Sequence, residues 1–158
     1  MQCSISIEDP SREDVRALVA RHLDFAREVT PPGHVHALAA DDLADPAVTF
    51  LGARADGELV AIGALRELDP LHGELKSMHT AAEHRGEGHA AAMLDHLLNV
   101  ARERGYERVS LETGTMPSFA PARSLYTTRG FVSCEPFGDY TLNEYSVCMT
   151  LLLDARGG

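Results

Sequence analysis

The chain has 158 residues, 44% of them apolar, and carries 24 acidic against 14 basic side chains for a formal net charge of -10. That length suits one globular domain, and that charge works against a nucleic-acid backbone or an anionic membrane surface as partner, both of which call for clustered Lys and Arg. The opening "MQCSISIEDPSRED" has no basic stretch leading into an apolar run, and no apolar stretch is long enough to span a bilayer, so one soluble, cytoplasmic domain over residues 1–158 is expected.

"CSISIE" alternates polar and apolar residues, the period of a strand. "DPSREDVRALVARHLDFAREV" follows, with a capping Asp or Ser and helical spacing of Val15, Leu18, Val19 and Leu23, and "TPPG" ends it. A short second helix is expected near residues 34–43. It leads through "ADP" into "AVTFLGARADGELVAIGALREL", where Asp56-Gly57 between two apolar runs marks a hairpin.

"GELKSMHT" reads as the next strand and "AAEHRGEG" as a polar loop. A helix over about 88–104 then presents Ala90, Met93, Leu94, Leu97, Leu98 and Ala101 as one stripe and stops at Gly105. "ERVSLET" is a strand, "SFAPARSLYTTRG" a short helix closed by Gly130, and "FVSCEPF" and "NEYSVCMTLLL" a final pair of strands. The sum is a mixed α/β (α+β) domain: a central, largely antiparallel sheet of six to seven strands flanked by about four helices.

Cys3, Cys134 and Cys148 are odd in number and include no Cys-x-x-Cys pair, so free, buried thiols are expected. His34 and His36 would share one side of a strand, but their segment reads as helical, which points them apart. No metal site is expected.

The stretch "EHRGEGHAAAML", residues 83–94, places two glycines at a helix entrance directly after a strand and loop. Unpaired N–H groups and the positive helix end meet there, the ordinary setting for a phosphate group, and Arg85 adds a charged fork. A Walker loop is excluded, because Gly-Lys-Ser/Thr is missing. "GEGHAA" satisfies the dinucleotide pattern G-x-G-x-x-A, with Glu107 or Glu112 as the ribose acid. Against it, five residues separate Thr80 from Gly86, and too little chain remains for the second half of that fold.

The third reading is a coenzyme A pyrophosphate loop, and here the chain resembles the GNAT superfamily of N-acetyltransferases. The family's R/Q-x-x-G-x-G/A loop is matched by Arg85, Gly88 and Ala90, and its "A-x-x-L-Y-x-x-x-G-F" helix end by "ARSLYTTRGF", residues 122–131. The resemblance implies a GNAT-like sheet splayed between its fourth and fifth strands, with the pantetheine arm of acetyl-CoA between them. Met78, His79 and Thr80 would bond that arm, amides from Arg85 through Gly86, Glu87, Gly88 and His89 to Ala90 would hold the pyrophosphate, and Phe119 and Ala122 would line the coenzyme.

Tyr126 falls at the family's general-acid position, and Glu74 and Glu112, on the strands flanking the cleft, are both candidates for the base. A primary amine of a small molecule or peptide is the expected acceptor, received near His36, Asp139 and Tyr140, and a homodimer is one assembly open to the protein. Three positions depart from the family: Glu87 puts an anion beside bound phosphate, Phe119 stands where an Asn is frequent, and Thr128 replaces a frequent lysine. A non-catalytic acyl-CoA sensor is the rival function, with an NAD-binding protein behind it.

Overall fold

The computed structural model describes residues 3–33, 35, 38–138 and 140–153. Strands β1 (Cys3–Ile7), β2 (Val48–Ala55), β3 (Glu58–Asp69), β4 (His72–Thr80), β5 (Arg108–Gly114), β6 (Val132–Cys134) and β7 (Ser146–Leu152) form one sheet in the order β1-β2-β3-β4-β5-β7-β6. Every neighbouring pair is antiparallel except β4 and β5. Helices α1 (Glu13–Val29), α2 (His89–Glu103) and α3 (Ala120–Thr128) cover it.

The central strands carry continuous apolar runs rather than a strict alternation because helices cover both faces. Phe50, Ile62 and Ala64 pack with Val15, Leu18 and Val19 of α1. Leu51, Ala61 and Leu65 turn the other way, toward Met93, Leu94 and Leu97 of α2 and toward Tyr126 and Phe131. The β2–β3 hairpin closes at Asp56 and Gly57, with φ of 52° and 84°, the left-handed pair that a tight two-residue turn requires. Arg54, mostly buried, grips both Glu8 oxygens at 2.8 and 2.9 Å and Asp14 at 2.8 Å, tying the start of α1 to the sheet.

Two expectations change. Helix is absent from the described part of 34–43 apart from a 3-10 turn at Asp42–Ala44, so among the described residues three α-helices flank the sheet rather than about four. Asp42 explains the short run: its carboxylate accepts the Ala39 N–H at 3.2 Å, a local bond that competes with helical pairing. The strand expected over "FVSCEPF" is confined to Val132–Cys134, since Pro136 lacks the N–H that a ladder needs. Among the described residues no helix is long and apolar enough to cross a membrane.

Candidate active site

The sheet opens where its one parallel pair gives out. β4 and β5 are joined through only three residue pairs, His72–Arg108, Gly73–Val109 and Glu74–Ser110. Beyond Glu74 the strands part, which is the splay expected between the fourth and fifth strands.

A bulge in β4 accompanies the parting. Ser77 and Met78 together face the single residue Gly63 of β3, and Ser77 takes a φ of 57°, a conformation costing a β-substituted residue roughly 1–2 kcal/mol. Gly63 is required opposite it: a Cβ there would fall 2.7 to 2.9 Å from Met93, Met78 and Leu97, so only glycine lets α2 and β4 close over this point. Ser77 is 7% exposed, and its hydroxyl, shut off from solvent, has no hydrogen-bond partner among the described residues.

The fork holds a cavity of about 120 Å³. Lys76, Ser77 and Met78 line it from β4, Glu112 and Thr113 from β5, and Phe119, Ala122 and Tyr126 from the α3 segment. α1 contributes His22 and Ala26, and the segment before β7 contributes Tyr140 and Tyr145. Met78, Phe119, Ala122, Tyr126, Glu112 and Tyr140 thus come together, although they span more than sixty residues of sequence.

Tyr126 is 6% exposed and packs its ring 5.8 Å from that of Phe131. No protein group among the described residues hydrogen-bonds its hydroxyl, and burial alone pushes its pKa up to about 12. Phe119 sets its ring edge-on to Phe25 at 5.5 Å, so this position offers an apolar face to the cleft. Thr128 turns its hydroxyl to the Leu125 carbonyl at 2.6 Å, finishing α3.

Glu74 sits at the apex of the fork, 3% exposed. Its Oε2 accepts from the Tyr140 hydroxyl at 2.5 Å and from Lys76 Nζ at 3.2 Å, while Lys76 also donates to Tyr140 at 2.7 Å. The three side chains form a closed, charge-neutral knot, and burial together with the Glu74 carboxylate raises the Tyr140 pKa far above its ordinary value. Glu112 differs. Burial raises its pKa and the nearby Glu74 adds to that, opposed by a hydrogen bond from Ser146 and by the Lys76 charge. Glu112 is the less settled carboxylate of the two, and it faces the cavity.

His79, expected only along the coenzyme arm, pairs with a residue that sequence reasoning passed over. Its Nδ1 lies 3.1 Å from Nδ1 of His22, and burial holds both rings down at about 4. Both rings are therefore neutral near pH 7, one Nδ1 donating and the other accepting. His22 continues the Val15, Leu18, Val19 stripe and lies one turn before Ala26; a histidine on a core stripe was the available signal. Lys76 within a buried strand was another. Ser77 left none, because a bulge is fixed by the partner strand.

The glycine loop lies beyond the fork. Thr80 ends β4, Ala81 N–H bonds the Val60 carbonyl at 2.8 Å, and a 3-10 turn at Ala82–His84 leads to Arg85. Gly86 and Gly88 have φ of 81° and 86°, and open space stands where a Cβ would project from either. Gly88 is the N-cap of α2 and offers no side-chain cap, so the first N–H groups of α2, from His89 and Ala90 onward, are available to an outside acceptor. Arg85 is exposed, its guanidinium 5.8 Å above the Phe25 ring. The Glu87 carboxylate is held by His84 at 3.1 Å and His89 at 3.0 Å. His36 and Asp139 lie outside the described residues.

A sheet with one parallel pair is not the doubly wound parallel sheet of a dinucleotide-binding domain, and the NAD reading falls with it. Residues 15–131 match the acetyltransferase (GNAT) family. The chain is 48% identical over 146 residues to the uncharacterized N-acetyltransferase YsnE of Bacillus subtilis, covering 92% of this chain and 97% of that one. It is 43% identical over 150 residues to the uncharacterized N-acetyltransferase YedL of Escherichia coli, covering 95% and 94%. A GNAT family acetyltransferase from Elizabethkingia anophelis, solved with acetyl-CoA bound, has the same fold with a TM-score of 0.71 at 15% identity, over 96% of this chain and 98% of that one. With a family match across most of its length and close relatives along nearly all of it, the chain belongs to the GNAT family of acetyltransferases.

Proposed function

We propose that the protein is an N-acetyltransferase that moves the acetyl group of acetyl-CoA directly to a primary amine of a small molecule or peptide while both are bound. The fork of β4 and β5, with the buried Tyr126 on its wall and the glycine loop beyond its open end, is the observation that carries this reading.

The residues present fit the coenzyme. Strand-edge groups freed at the fork around Met78, His79 and Thr80 suit the amides of a pantetheine arm. The bare backbone at Gly86 and Gly88, with the entrance of α2 and Arg85, suits a diphosphate. Phe119 and Ala122 supply apolar wall, and the unpaired Ser77 hydroxyl offers a donor at mid-sheet. Acetyl-CoA supplies an activated acyl group.

The chain's own tasks are to free an amine of its proton and to ease the departure of a thiolate. A lysine-like amine has a pKa near 10.4, so its deprotonation at pH 7 costs about 4.6 kcal/mol. Glu112 accepts that proton through a bound water, because burial has already made it a better base than an exposed glutamate. Glu74 serves as the positioning residue, holding Tyr140 and Lys76 at the apex. Tyr126 donates a hydrogen bond to the departing sulfur. The acidic surface favours a cationic acceptor at encounter, consistent with an amine.

Thiol release from acetyl-CoA over a panel of amines tests this. Turnover with at least one amine, cut at least tenfold by Tyr126→Phe, is expected. Tight acetyl-CoA binding without turnover on any amine would leave the sensor reading instead.

A further inference from the structure

Glu87 stands between the two glycines of the loop, an odd place for a carboxylate if phosphate is to bind there. Its side chain is turned to two histidines. His84 Nδ1 and His89 Nε2 lie 3.1 and 3.0 Å from the same atom, Glu87 Oε1, and the three donor atoms all fall within 4.8 Å of one another. Bonds of about 2.0–2.1 Å to imidazole nitrogen and carboxylate oxygen set neighbouring ligands of a tetrahedral zinc ion roughly 3.3 Å apart, close to these spacings. Two imidazoles and one carboxylate are also a donor set that zinc takes with its fourth position left to water.

A separate feature points the same way. The ring nitrogen of His84 that faces away from Glu87, Nε2, is hydrogen-bonded to the carboxylate of Glu58 at the start of β3. Metal-bound imidazoles commonly give their second N–H to a carboxylate, which fixes the tautomer and makes the ligand nitrogen more basic. With Nε2–H given to Glu58, the neutral ring that a metal ligates has its lone pair on Nδ1, the atom facing the other two donors. His89 is 8% exposed and His84 is half-buried, so packing holds both rings, while Glu87 is exposed and leaves the outer side open to water.

We propose that His84, Glu87 and His89 form a divalent-metal site, best matched to zinc, at the entrance of α2. The ion ties the 3-10 turn, the glycine loop and the first turn of α2 into one unit, and it cancels the loop's own carboxylate. Imidazole nitrogens bind a metal only through a lone pair, so affinity falls in acid. Binding of the ion does not depend on the coenzyme reading above and is testable with no coenzyme present.

Zinc chloride titrated into the metal-free full chain near neutral pH, in a non-chelating buffer, is the direct test. One equivalent should bind with a Kd below about 10 μM, and cobalt(II) in its place should show the visible absorption of a four-coordinate ion. His84→Ala with Glu87→Gln should weaken zinc at least about 100-fold, and Glu58→Gln, which touches no metal, about 10- to 100-fold. His96→Ala, an exposed histidine on the same helix, should leave binding unchanged. Binding weaker than the micromolar limit, or undiminished in the double variant, overturns the proposal. Circular dichroism separates either result from loss of fold.

Discussion

Replacing Tyr126 with phenylalanine removes a single hydroxyl that no described protein group holds, and leaves the ring packed against Phe131. No buried partner is orphaned, so stability should barely move, with Tm within a few degrees of native. The catalytic effect follows from the ionisation of that hydroxyl. Its pKa of about 12 stands well above that of a thiol near 8.5, so handing its proton fully to a departing thiolate is uphill by about 5 kcal/mol. On the proposed mechanism, Tyr126 therefore acts by donating a hydrogen bond to sulfur as negative charge develops. A hydrogen bond to a charged group is worth about 1.5–3 kcal/mol, which sets the expected fall in kcat at about 10- to 150-fold. Acetyl-CoA affinity by calorimetry should hold, because the bond strengthens only as the thioester breaks. Colorimetric thiol release against pH gives a second check: the native enzyme should lose no activity through Tyr126 ionising up to about pH 10. A variant keeping more than half of native kcat would refute the assignment.

Glu112→Gln should lower kcat/KM by about 10²- to 10⁴-fold and remove the acid limb of the pH profile. The folded carboxyl has a raised pKa, so the stability it contributes is full below its unfolded value and lost as pH rises through the folded one; the glutamine variant should match or exceed native Tm at pH 7. Activity within twofold of native would assign proton acceptance elsewhere. His22, held down at about 4, refuses a proton that the unfolded chain takes near 6.5, so stability is lost as pH falls between those values. At pH 5 that loss is about 2 kcal/mol, or roughly 4–8 °C in Tm, and His22→Leu should blunt it; an unchanged acid slope would sink the idea. Gly88→Asp forces a side chain onto a φ of 86° and sets a carboxylate beside the proposed diphosphate site. Acetyl-CoA affinity by calorimetry should fall at least about 100-fold, and unchanged affinity would defeat the phosphate assignment.

Features set by local chemistry are legible in the sequence. The Asp56-Gly57 turn depends on the φ freedom of two adjacent residues, the α2 stripe on a period of 3.6, and the loop at Gly86 and Gly88 on backbone conformations that side chains resist. The segment 34–43 went astray for an equally local reason, since its apolar spacing suited a helix while Asp42 offered the backbone a competing bond. Glu87, unaccounted for by spacing alone, acquires a role once His84 and His89 are seen to close around its carboxylate.

The site itself is mostly long-range. Glu74 and Tyr140 lie 66 residues apart, and His22 and His79 lie 57 apart, so no window of sequence couples them. The Ser77 bulge exists because β4 must pair with β3 through Gly63 while leaving β5, a demand imposed by a neighbour rather than by serine. The sequence by itself determined most of the elements and the glycine loop at the entrance of α2, because turn chemistry, helical period and glycine freedom act over a few residues. Tertiary structure alone decided which strands fork, which carboxylate is locked in a neutral knot and which is left raised at the cavity, because burial and pairing depend on where distant residues meet.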